Sequence, residues 1–110
     1  MSKYYRPLPD CLTIKESEIE GLGLFSTEYI PGGTDLGLTH IYDFSYEDNY
    51  IRTPLGGFIN YSDTPNCVLI EVDSESNNMN LISLMDLKEN EELTIKYNLY
   101  NPTIWLVKNL

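Results

Sequence analysis

Turn-forming residues interrupt this sequence so often that none of its apolar runs carries a long helical period, which removes most helical architectures at the outset. The stretches between the breaks alternate instead. Leu12-Thr13-Ile14-Lys15 places apolar and polar side chains in turn, as a half-buried strand does, and stops at Glu20-Gly21. Gly23-Leu24-Phe25-Ser26 resumes the pattern. Tyr29-Ile30-Pro31-Gly32-Gly33-Thr34 is a strong turn, because proline presets φ and glycine supplies positive φ without steric cost. Asp35-Leu36-Gly37-Leu38-Thr39-His40 predicts the next strand. Val68-Leu69-Ile70-Glu71-Val72 and Met79-Asn80-Leu81-Ile82-Ser83-Leu84 predict a hairpin around the polar run 73–78, and Glu92-Leu93-Thr94-Ile95-Lys96-Tyr97 predicts the last strand. Residues 42–50 are polar, acidic and aromatic without period and read as an irregular surface loop, with room for a short helical turn at 45–49 or in the tail. The fold class is mainly β.

A faint internal echo supports this parsing. Ile30-Pro31-Gly32-Gly33-Thr34-Asp35-Leu36 recurs in kind as Leu87-Lys88-Glu89-Asn90-Glu91-Glu92-Leu93, with Asn90 in the place of Gly33. Both residue types tolerate a left-handed backbone, so two similar turns are expected, each delivering the chain into a strand.

At 110 residues the chain suits one domain spanning 1–110. Its formal charge of −10 argues against a nucleic-acid backbone as partner and suits a basic, lysine-containing protein or peptide. Most of the acids read as solvated faces. No apolar stretch approaches the roughly 18 residues of a membrane span and the N-terminus has no signal-like apolar run, so a soluble intracellular protein is expected. Cys11 and Cys67 are too few for a disulfide framework and lack zinc-site spacing, and His40 is the only histidine, so no metal is expected.

Three segments narrow the reading further: Gly21-Leu22-Gly23, then Phe58-Ile59-Asn60-Tyr61-Ser62-Asp63-Thr64-Pro65-Asn66-Cys67, then Glu91-Glu92-Leu93-Thr94-Ile95-Lys96-Tyr97. In that order they resemble the signature of the SET-domain protein lysine methyltransferases. That family usually has a Gly-x-Gly turn, Asn-His-Ser before Pro-Asn-Cys, and Glu-Glu-Leu-Thr before an acid and a tyrosine. Tyr61 stands where histidine is usual and Lys96 where an acid is. The chain has no cysteine-rich segment of the kind many members carry before or after the domain, and so resembles the small viral, phage or bacterial type. The resemblance implies several small sheets, a C-terminal pseudoknot, and S-adenosyl-L-methionine as cofactor.

Lysine methylation makes definite chemical demands. The amine must be neutral and must approach the methyl carbon opposite the sulfur. Neutralising a lysine of pKa near 10.4 at pH 7 costs roughly 4.6 kcal/mol, a cost that a narrow, poorly hydrated channel lowers. Tyrosines suit such a channel, with apolar ring faces and uncharged hydroxyls, and this chain has nine. By resemblance, Tyr97 holds the place of the catalytic tyrosine whose hydroxyl orients the reaction. Asn60 and Tyr61 correspond to the pair that borders the cofactor, and Leu22 and Gly23 to the turn whose backbone approaches it. Tyr50 in the insert, and Tyr100 and Trp105 in the tail, are weaker channel candidates. Trp105 reads equally as a core anchor or a homodimer contact. Two alternatives stay open: a SET-like module that binds a lysine-containing peptide or the cofactor with little turnover, and a structural β-domain acting through dimer contacts.

Overall fold

The computed structural model describes residues 7–45, 49–73 and 76–96. Eight strands lie among them: β1 Leu12–Glu16, β2 Leu22–Ser26, β3 Asp35–Tyr42, β4 Tyr50–Arg52, β5 Asn60–Tyr61, β6 Cys67–Asp73, β7 Asn78–Ser83 and β8 Thr94–Ile95. They form three small sheets, with no helix among the described residues. β1 and β2 make an antiparallel hairpin, β4-β3-β7-β6 an antiparallel sheet, and β5-β8 a parallel pair.

The alternation read from the sequence explains which faces are buried. In β7 the pattern places Met79, Leu81 and Ser83 inside and leaves Asn78, Asn80 and Ile82 partly exposed. Leu24, Leu81, Leu87 and Leu93 are fully enclosed at the centre, with Leu36, Leu55, Leu69 and Ile95 around them. The core therefore draws on all three sheets, and it ties the two small sheets to the larger one.

The internal echo proves to be a structural one. Ile30 and Leu87 pair with each other through reciprocal bonds, Ile30 N to Leu87 O at 2.9 Å and Leu87 N to Ile30 O at 2.8 Å. On either side of this crossing a buried serine clamps the opposite turn. Ser83 N donates to Thr34 O, Gly33 N to Ser83 O, Thr34 N to Ser83 Oγ, and Ser83 Oγ to Pro31 O. Ser26 does the same for the second turn: Ser26 N donates to Glu91 O, Asn90 N to Ser26 O, Glu91 N to Ser26 Oγ, and Ser26 Oγ to Lys88 O. Gly33 (φ 82°) and Asn90 (φ 66°) occupy matching left-handed positions, as the echo predicted. The arrangement is a local two-fold in which each half supplies the serine that closes the other half's turn.

Three elements differ from the sequence reading. Residues 42–50 are not simply an irregular loop: β3 runs on to Tyr42, Asp43 N bonds Asn49 O, and β4 pairs back through His40/Arg52, Ile41/Ile51 and Tyr42/Tyr50. The missing signal is period, since three residues are too few to show alternation. β5 has two residues and was hidden inside the motif for the same reason. β8 is shorter than the expected 92–97 strand, because Glu92 bridges to Phe25 and the Asn66 side chain binds both Glu92 O and Thr94 N in place of a neighbouring strand. The pseudoknot is described as far as the parallel β5-β8 pairing and Ser62 N to Ile95 O; the chain beyond Lys96 lies outside the described residues.

Candidate functional site

The three motif segments meet at one corner of the molecule. Ser17 closes the β1-β2 turn, its N–H donating to Gly21 O at 2.8 Å and its Oγ accepting from Ile19 N at 2.9 Å. That turn carries Leu22 and Gly23 at the start of β2. Asn60 enters from β5, fixed by its register against Thr94. Glu92 enters from the third segment, held against Phe25 of β2.

Their side chains form a single hydrogen-bond cluster. The two hydrogens of Asn60 Nδ2 are shared among four acceptors, Glu92 Oε2 at 2.8 Å, Ser17 Oγ at 3.0 Å, Glu20 O at 3.1 Å and Leu22 O at 3.4 Å. Ser17 Oγ donates to the Glu92 carboxylate, 2.7 Å from Oε1 and 2.8 Å from Oε2. Gly23 makes the cluster sterically allowed, since a Cβ at this position would fall on the Glu92 carboxylate and within 3.0 Å of Ser17 Cβ. Among the described residues, the close approach that this glycine permits is to Glu92.

Asn66, from the Pro-Asn-Cys part of the second segment, locks the junction from behind. It is buried, its Nδ2 donating to Glu92 O at 2.8 Å and its Oδ1 accepting from Thr94 N at 2.8 Å. The asparagine side chain thus imitates a strand and satisfies backbone groups that would otherwise be buried unpaired. Next to it, Cys67 is fully buried, and its thiol is pushed up to about 12 by desolvation and, secondarily, by the Glu91 carboxylate. Such a thiol stays protonated and has no nucleophilic role at neutral pH.

Of the residues singled out from the sequence, Leu22, Gly23 and Asn60 come together. Tyr61 follows Asn60 on β5, but the residue is 46% exposed and its hydroxyl donates to Asp63 at 2.6 Å, a bond that raises its titration, with smaller contributions from desolvation and the charge of Asp63. Leu22, whose carbonyl Asn60 reaches, is 48% exposed and presents apolar surface beside the cluster. Tyr50 lies elsewhere, on the edge strand β4, with its ring edge-on to His40 at 5.8 Å and to Tyr42 at 5.7 Å. Tyr97, Tyr100 and Trp105 lie outside the described residues. Sequence reasoning gave no role to Glu92 or Ser17. Glu92 was visible within the third segment, whereas nothing around Ser17 marks it. Among the described residues no cluster of His, Cys, Asp and Glu could hold a metal, and no helix is long and apolar enough to cross a membrane.

A model of the SET domain matches residues 38–98. Among solved structures the chain is similar to a candidate histone methyltransferase of Plasmodium falciparum, with 24% identity, a TM-score of 0.66, and 83% of this chain and 96% of that one covered. It is also similar to the methyltransferase domain of human PR domain-containing protein 2, with 16% identity, a TM-score of 0.62, and coverage of 83% and 79%. Both likenesses concern the fold. No curated protein sequence matches. Because the family match spans more than half of the 110 residues, the chain belongs to the SET-domain family, the methyltransferase family that its three segments resemble.

Proposed function

We propose that this protein transfers a methyl group from S-adenosylmethionine to the side-chain amine of a lysine in a protein substrate. The carrying observation is the junction itself: the Gly21-Leu22-Gly23 turn, Asn60 and Glu92 converge, in a SET-domain framework, on a corner that combines a fixed polar group with exposed apolar surface. When bound, the cofactor supplies an electrophilic methyl group on a sulfonium. The residues present suit it. Asn60 has its NH2 group engaged by protein acceptors, which leaves its amide oxygen as the atom to offer an ammonium. The exposed face of Leu22 suits the apolar part of a nucleoside, and the backbone of Tyr61 can read an adenine edge whatever its side chain. Tyr97 is the residue to which the transfer step is assigned: its hydroxyl orients the incoming amine and adds no charge to the channel.

The acidic chain, at −10, suits a lysine-rich target by electrostatic steering. Incubation with radiolabelled S-adenosylmethionine and a lysate should label a protein band on lysine, and Tyr97→Phe should abolish most of that label. Calorimetry that shows no binding at millimolar cofactor would remove the proposal. A second reading, a module that binds without turnover, is favoured by one observation: the side chain at the usual histidine position is a tyrosine tied to Asp63 and turned to solvent. Cofactor binding without label transfer to any protein would establish it.

A further inference from the structure

The hydrogen-bond inventory around Glu92 permits one kind of residue. Ser17 Oγ already faces three donors, Ile19 N at 2.9 Å, Asn60 Nδ2 at 3.0 Å and, more weakly, Glu20 N at 3.4 Å, so its own hydrogen goes to residue 92. Asn60 also turns its NH2 end toward residue 92: the Glu20 and Leu22 carbonyls, which can only accept, fix that end of the amide, and its two hydrogens are shared among them, Ser17 Oγ and Glu92 Oε2, the last at the shortest distance. Every side-chain group facing residue 92 in this cluster therefore donates. A carboxylate meets that set with two acceptor oxygens; a carboxamide would turn an NH2 group against a donor or against a filled hydroxyl.

We propose that Glu92 is the positioning residue of the cofactor site: with Ser17 it fixes the Asn60 amide so that the oxygen, and not the NH2 group, is presented to a ligand ammonium. The charge adds to the geometry. An amide whose N–H donates to a carboxylate is polarised, and its oxygen becomes a stronger acceptor. The pseudo-symmetric half of the fold carries a similar pair without a site, in which Asn80 Nδ2 donates to Asp35 at 3.0 Å and 3.2 Å. There the pair is exposed and only links β3 to β7. The inference rests on the proposed use of S-adenosylmethionine.

Two readouts test it separately. In the ligand-free protein, the Asn60 side-chain NH2 protons should exchange with water more slowly than those of an exposed asparagine, and Glu92→Gln should remove that protection. Calorimetry with S-adenosylhomocysteine, which carries the same ammonium, should show Glu92→Gln weakened by about tenfold, the loss expected for a charge-assisted hydrogen bond, while Asp35→Asn binds as the unaltered protein does. Should Glu92→Gln fail to fold, Ser17→Ala carries the same prediction with a smaller loss. Unchanged amide protection together with unchanged affinity in the variant would overturn the role of Glu92. If the unaltered protein binds no S-adenosylhomocysteine, the proposed function fails, while the amide readout alone still decides whether Glu92 sets the Asn60 orientation.

Discussion

The two halves of the pseudo-symmetric core share a backbone plan and differ in what they place at one position. Each has a buried serine that closes the opposite turn, a left-handed residue at the turn, and an acid at the start of the segment that follows. In the first half that acid is Asp35, which meets the Asn80 side chain across the sheet. In the second it is Glu92, and the residue across from it is Gly23 on β2, whose missing side chain leaves room for the carboxylate to reach Ser17 and Asn60. Removal of a side chain opened one of two equivalent places to a third element. A site can thus arise from a scaffold by subtraction, with the stabilising bonds left as they were.

If the halves are equivalent as scaffold, matched substitutions should cost alike. Leu24 and Leu81, each two residues before its clamp serine, are both fully buried, and truncation of either to alanine should cost about 2–5 kcal/mol by chemical denaturation. Unequal costs, by more than half of that range, would break the equivalence. Ser26→Ala and Ser83→Ala should each cost about 1–2 kcal/mol, because each removes two part-buried hydrogen bonds that close a turn. Here a functional asymmetry should appear: Ser26→Ala displaces the turn that leads into Glu92 and weakens S-adenosylhomocysteine binding, whereas Ser83→Ala loses stability only. Gly33→Ala should cost about 1 kcal/mol through its positive φ, and Asn90→Gly should be close to neutral by thermal denaturation.

The smallest effect is silent at neutral pH. Cys67 has a folded pKa raised from 9.0 to about 12 by burial. The buried thiol keeps its proton while the unfolded thiol loses it, so its contribution is fully present below pH 9 and is lost as pH rises from 9 toward 12. Stability followed over that range should fall more in the unaltered protein than in Cys67→Ala, once the different starting values are subtracted.

Much of this was legible in the sequence where a signal was either periodic or punctuated. Alternation found β1, β2, β3, β6 and β7, and Gly33 and Asn90 marked the paired turns because few residues adopt a left-handed backbone. β4, β5 and the true extent of β8 were not legible, since strands of two or three residues have no period and owe their existence to neighbours far along the chain. The site divides the same way. Motif order singled out Asn60 and Gly23, and the structure brings them to one junction with Glu92. Ser17 was invisible, because its role comes from a contact 75 residues away with Glu92. Glu92 stood in plain view within its segment, yet no sequence rule says that it lies against Asn60.

The Glu92–Asn60 pair, and not the Asp35–Asn80 pair, is the one assigned to the cofactor. Titration of S-adenosylhomocysteine into Asn60→Ala and Asn80→Ala, beside the unaltered protein, tests that assignment most directly. Asn80→Ala should bind as the unaltered protein does, while Asn60→Ala should lose about tenfold or more. Equal binding by Asn60→Ala, or a greater loss in Asn80→Ala, would contradict it.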